Sequence, residues 1–207
     1  TTLFPMKNNS RLLPLIAIIL LAMQAILVLA SWIINVIYPS ANMRSLLSSE
    51  GIRWFIGSFS DILLTPLLSW MLLIAIAAGS ISHSGLAKAI SDRRRQPLSY
   101  RQRHALAISL VVLSVFTIII ILLSFIPHAI LLGVSGSLFP SSFSSGLVPI
   151  ITFTLTVVSI SFGLTLGTIT SITDIYTNLC YGLKYIIPLI PIYIFALQLY
   201  RSLIFCL

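Results

Sequence analysis

Charge is scarce in this chain. Of 207 residues only 8% are Asp, Glu, Lys or Arg, and the acids number four. Soluble domains carry about 25% charged residues, and a surface this poor in charge cannot face water. An aqueous globular fold is excluded on that ground. Disorder is excluded as well, because 58% of the residues are hydrophobic and disordered chains are hydrophobe-poor. Four carboxylates also leave little material for paired acid–base catalysis.

Cysteine is scarcer still, with two residues. Cys180 and Cys206 have no metal-ligand spacing and no pairing that sequence can assign. Of the three histidines, His83, His104 and His128, no two stand four apart, and no His-Glu-x-x-His occurs. Gly-x-Ser-x-Gly, phosphate-loop and dinucleotide glycine patterns are absent. The expectation is therefore no enzyme, no metal and no cofactor. The net charge of +8 does not imply nucleic acid. It arises because acids are few, and the bases lie in loops between apolar runs, as the positive-inside rule requires.

What is present is a series of long apolar runs, each near the roughly 20 residues that cross a bilayer. Five are expected to span, over 12–38, 62–82, 105–126, 147–170 and 179–206. The first is too long for a secretory signal and reads as a retained helix. Pro66 predicts a kink or irregular start to the second, and Pro188 and Pro191 interrupt the fifth. Between the first two, Ile52, Phe55, Ile56 and Phe59 recur at helical spacing over 48–59, while Glu50 and Arg53 fall off that stripe. This pattern predicts an amphipathic helix on the outer interface, with Trp54 at headgroup depth, Phe55 and Phe59 buried and Arg53 wet. The fold class is all-α: a polytopic membrane protein with about five transmembrane helices and one outer interfacial helix. Residues 1–207 read as a single transmembrane domain in contact with the lipid bilayer.

Orientation follows from the bases. With the basic loop 88–104 inside, Lys7, Arg11, Lys88, Arg93, Arg94, Arg95, Arg101, Arg103 and Lys184 are cytoplasmic, nine in all, against Arg44, Arg53 and Arg201 outside. The split predicts a cytoplasmic N-terminus, with the Ser/Gly/Phe-rich 133–146 segment outside.

Two features invite chemistry. Asp174 stands between the fourth and fifth spans, ten residues before Lys184, and the two form a candidate charge pair where those helices run antiparallel. A capping or loop role is the alternative for Asp174, as it is for Asp61 at the mouth of the second span. In the fourth span Thr152, Thr156, Ser159, Gly163 and Gly167 share one helical face. That stripe is either a packing face, with Gly163 and Gly167 as a small-xxx-small pair, or the hydroxyl-lined wall of a polar pathway.

The stretch Leu46-Leu47-Ser48-Ser49-Glu50-Gly51-Ile52-Arg53-Trp54, followed by a second span ending Gly79-Ser80-Ile81-Ser82-His83-Ser84-Gly85-Leu86, resembles the p-aminobenzoyl-glutamate transporter (AbgT) family. The order of first helix, Leu-Ser-x-Glu-Gly-x-x-Trp-like surface helix and Ser-Gly-Leu-like second-helix end is similar over about residues 12–90. No Ser-Ser-Asp-like or Asn-rich hairpin signature follows Ile90, and Ser82 stands where the family often has an acid, so no substrate-binding residue is carried over. The resemblance implies a short, divergent relative of dimeric inner-membrane transporters of aryl-glutamates or related drugs, driven by ion gradients. Two readings follow: a small secondary transporter or exporter of the bacterial inner membrane acting as an oligomer, or a non-transporting subunit or scaffold that docks a membrane partner protein.

Overall fold

The computed structural model describes residues 12–38, 43–92, 99–125 and 142–207. Among these the structure is all-helical, and five helical segments are long and apolar enough to cross a membrane. The elements are α1 (Leu12–Ile37), α2 (Ser49–Gly57), α3 (Phe59–Leu63), α4 (Pro66–His83), α5 (Leu86–Asp92), α6 (Tyr100–Phe125), α7 (Ser142–Leu166), α8 (Ile172–Tyr181), α9 (Leu183–Ile186), a 3-10 turn (Ile187–Leu189) and α10 (Ile190–Cys206). Isoleucines and leucines along α1 and α6 stand exposed, Ile18 and Leu110 among them at 67% and 65%. Such a surface suits lipid and not water, and the chain is built as a multi-pass membrane protein.

Helix ends differ from the expected spans for local reasons. The second span starts at Pro66 and not Ile62. Proline is favoured at a first helical position, and it disfavours helical backbone in the residue before it. The third starts at Tyr100, where Ser99 N–H donates to Gln102 Oε1 at 3.0 Å, half of a capping box. Arg101, Arg103 and His104 thus ride on α6, and Lys88 on α5. Positions 93–98 of the basic loop lie outside the described residues, as do 133–141 of the expected outer loop. Residues 142–146 are the start of α7. That helix ends at Leu166, short of Thr170, because Gly167 takes a left-handed φ of 85°. The N–H groups of Gly167, Thr168 and Ile169 all converge on the Gly163 carbonyl, which closes the helix. The fifth segment begins at Ile172, earlier than Leu179. Ser171 accepts from Thr173 N–H while Asp174 accepts from Ser171 N–H.

The chain forms two compact units, residues 1–68 with 186–207, and residues 69–185. In the first, α1 and α10 run parallel. Gln24 Nε2 donates to Ser202 Oγ at 2.9 Å, and beyond the end of α1 Arg44 N–H donates to the Cys206 carbonyl at 3.2 Å. The α2–α3 stretch returns along α10. Trp54 stacks on Phe205 with centroids 4.4 Å apart, and further on Thr65 and Tyr193 share a hydroxyl–hydroxyl hydrogen bond. Residues 193 and 205 are separated by about 18 Å of helix. Ser48 caps α2 by accepting from Gly51 N–H.

In the second unit α6 lies along α7, with Phe116 and Phe153 meeting edge-on at 5.9 Å. Leu86, Ala89, Ala105, Val158 and Phe162 form its apolar core, with Ile81, Leu106, Val112 and Leu166 packed around them. α4 and α8 come close enough for backbone contact. A Cβ at Gly79 would fall on the backbone of Gly182, and one at Gly182 on the carbonyl of Ala75.

Candidate functional site

Within the second unit, four polar side chains from three helices form one hydrogen-bonded chain. Ser159 of α7 and Ser80 of α4 place their hydroxyl oxygens 2.5 Å apart. Asn178 of α8 donates from Nδ2 to Ser80 Oγ at 2.6 Å. Its Oδ1 lies 3.2 Å from His83 Nδ1. A carboxamide oxygen only accepts, so His83 donates from Nδ1 and keeps Nε2 for another partner. Ser80, Ser159 and Asn178 are wholly buried, and His83 is half-exposed at the C-terminal end of α4. The His83 ring also packs on Tyr181, centroids 5.0 Å apart and tilted 44°.

Local sequence explains the convergence. Ser80 and His83 are three apart and so neighbours on one face of α4. The run Ala75-Ile76-Ala77-Ala78-Gly79 keeps the adjoining face small. With glycine on each side of the contact, α8 approaches until the Asn178 amide reaches Ser80. Chains of this type strengthen each bond within them, and each member lost leaves its neighbour unpaired in a low-dielectric setting.

The expected stripe is a buried face in its first four members. Thr152, Thr156, Ser159 and Gly163 are buried, and Gly167 is exposed as the terminator of α7. Thr152 and Thr156 turn their hydroxyls back to carbonyls of their own helix, Val148 and Thr152, at 2.8 and 2.7 Å. A Cβ at Gly163 would meet the Ile169 side chain, just beyond the end of the same helix. The close helix–helix approach belongs to Gly79 and Gly182.

Asp174 and Lys184 are not brought together: no ion pair joins them among the described residues. The Asp174 carboxylate accepts from Thr170 N–H, Thr170 Oγ1 and Ser171 N–H at 3.0, 2.9 and 2.9 Å. It is the N3 member of the α8 capping box. Lys184 Nζ lies over the Tyr181 ring, 5.9 Å from its centroid.

On α2, Glu50 pairs with Arg44 at 3.8 Å, both exposed, a contact worth little. Arg53, Ile52, Ile56 and Phe59 are exposed, while Trp54 and Phe55 are half-buried. The side of α2 turned to protein is thus Gly51, Trp54 and Phe55. Phe59, at the start of α3, is 40% exposed to the surroundings of the chain, as a side chain dipping into the interface would be.

Asn178 carried little signal in the sequence: it stands one residue before the expected fifth span, after Asp174, Tyr176 and Thr177, where a carboxamide reads as a turn residue. Gln24 and Gln198, by contrast, are carboxamides inside apolar runs, a costly placement that marks an interhelical contact. In comparisons with known proteins, no family model, no curated protein and no solved structure matches this chain.

Proposed function

We propose that this protein is a small secondary transporter or exporter of a bacterial inner membrane, with its N-terminus cytoplasmic and His83 as its proton-binding residue. The buried chain Ser159–Ser80–Asn178–His83 carries the reading. Polar and ionisable groups inside membrane-spanning helices are costly and mark functional positions by default. A carboxamide does not relay protons. Asn178 therefore fixes the ring, and His83 holds the proton. Protonating His83 keeps the bond to Asn178, makes it charge-assisted and adds a donor at Nε2. A positive charge there also suits the C-terminal end of α4. Proton binding thus tightens the α4–α8 contact and release loosens it, a two-state contact that a gradient biases. The resemblance over residues 12–90 supports aryl-glutamates or related drugs as solutes and a homodimer as the working form, since five helices seldom enclose a path alone.

Purified protein in vesicles with an imposed pH gradient, screened with aryl-glutamate and antifolate solutes, tests this. The expected result is gradient-dependent uptake that is lost in a folded His83→Gln variant. Full uptake by that variant, or uptake indifferent to the gradient, refutes the mechanism.

A second reading, a non-transporting subunit or scaffold, draws support from Thr152 and Thr156, whose hydroxyls bond carbonyls of their own helix. No uptake of any solute by the parent protein, together with heteromeric cross-links in native membranes, decides for it.

A further inference from the structure

Two adjoining hollows open on the first unit, where α2 and α3 return along the C-terminal end of α10. The larger, about 440 Å³, is lined by Arg44, Trp54, Arg201, Ile204, Phe205 and Leu207. The smaller, about 220 Å³, shares Trp54 and Arg201 and adds Ser58, Asp61 and Ile62. Arg201 lies one turn before Phe205 on the same face of α10, and Arg44 holds its guanidinium carbon 5.8 Å from the Phe205 ring centroid. Two cations from separate elements thus border one hollow, and an acid borders the next. These charges are poorly answered within the chain. Among the described residues Arg201 and Asp61 enter no ion pair and no side-chain hydrogen bond, although both line the smaller hollow. Arg44 has Glu50 at 3.8 Å, with both side chains well exposed. The Ser58 hydroxyl, at the N-cap of α3, caps nothing. A free arginine on an apolar membrane helix points to a partner outside the chain.

We infer that the two hollows together bind the headgroup of a phosphatidylethanolamine-type lipid, its phosphate at Arg44 and Arg201 and its ammonium at Asp61. Charge selects the zwitterion. Guanidinium groups are the preferred partners of phosphate oxygens. With Glu50 and Asp61 counted, however, the cluster is neutral overall, so a headgroup of net negative charge gains at the arginines and loses at the acids. A phosphate and an ammonium two carbons apart meet a partner each. A primary ammonium also brings three N–H donors, which the Asp61 carboxylate and the free Ser58 hydroxyl accept; a trimethylammonium brings none. The surroundings select a lipid over a free phosphate ester. Ile204, half-exposed in the lining, continues the hollow into apolar surface that suits acyl chain, and Trp54 belongs to the helix whose pattern sets it at headgroup depth. The competing account is that the arginines snorkel to whatever headgroup is near. That account has no use for Asp61 and gives no preference between zwitterionic lipids.

The test counts lipids bound to the full chain, delipidated in one detergent, by native mass spectrometry. The probes are phosphatidylethanolamine and phosphatidylcholine with the same acyl chains. They differ only in three N-methyl groups, so basic segments elsewhere meet the same net charge in both. The parent is expected to hold one phosphatidylethanolamine about fivefold more tightly than phosphatidylcholine, the size of a partly exposed ion pair. Asp61→Asn is expected to erase that preference. Arg201→Gln and Arg44→Gln are each expected to weaken both lipids about fivefold. All three side chains are exposed, so none of the changes empties a core, and melting temperatures matched to the parent check this. Soluble phosphoethanolamine at millimolar concentration is expected not to displace the lipid, and displacement would overturn the lipid as occupant in favour of a free ester. Equal affinity for the two lipids in the parent, a preference that survives Asp61→Asn, or undiminished binding in both arginine variants overturns the site and leaves the arginines as snorkelling side chains.

Discussion

Adding a single methyl group at Gly79 tests the central contact of the second unit. Gly79 lies inside α4, and a Cβ there would collide with the main chain of Gly182. The obstacle is backbone, so no rotamer change relieves it and the helices must separate. Overpacking costs about 1–3 kcal/mol, and a backbone obstacle puts this site at the upper end. Alanine recovers about 1 kcal/mol of helix propensity. Separation also lengthens the Asn178–Ser80 bond of 2.6 Å next door, which costs a further ~1 kcal/mol. The net expectation for Gly79→Ala is a loss of about 2–3 kcal/mol, the sum of those terms. The control is Gly57→Ala, where a Cβ meets nothing within 4 Å. Thermal melting in one detergent reads both variants, and amide exchange across α8 reads the contact itself. A Gly79→Ala protein that melts with the parent and keeps α8 equally protected would refute the backbone-contact argument and the account of Asn178 that depends on it.

Asn178→Ala removes the centre of the polar chain and should cost about 1–2 kcal/mol; an unchanged melting temperature would show that Ser80 and His83 find other partners. Asp174→Ala strips three accepted hydrogen bonds and should cost about 1 kcal/mol. Asp174→Asn keeps an acceptor and should cost less, so equal losses in melting would count against the capping role. Gly163→Leu should cost about 1–3 kcal/mol through Ile169, without changing oligomer size in detergent; a change in size would move the contact to another copy. In a cysteine-free background, Leu138→Cys should react with an impermeant reagent in intact cells and Arg95→Cys should not, and the reverse pattern would invert the assigned orientation.

Much was legible before any coordinates. A helix crossing lipid must satisfy its backbone internally and show apolar side chains outward. The long runs starting near Leu12, Pro66 and Ala105 therefore announce themselves by composition alone, whatever they pack against. Caps are local too. The Ser171–Asp174 pair is a four-residue pattern, readable as a capping box without knowing the fold, and so is Ser99–Gln102.

Partnership was not legible. Thr152, Thr156, Ser159, Gly163 and Gly167 form a regular stripe, yet the intimate approach falls at Gly79 and Gly182, about a hundred residues apart. A glycine's sequence neighbours do not say which backbone comes to meet it. Asp174 and Lys184 lie on adjacent elements but turn to different partners, a helix N-terminus and a tyrosine ring. The amphipathic pattern of α2 names an apolar stripe, but the side turned to protein is Gly51, Trp54 and Phe55, because α10 passes beside it and Trp54 stacks on Phe205. Gln24, Asn178 and Gln198 make the same point. Gln24 and Gln198 each stand in an apolar run and Asn178 just before one, and only the tertiary structure pairs Asn178 with Ser80 and His83 and Gln24 with Ser202. Composition chooses the solvent and period chooses the helix, because both act within one segment. Which polar atoms meet depends on the packing of segments remote in sequence, where one methyl group decides whether a hydrogen bond forms.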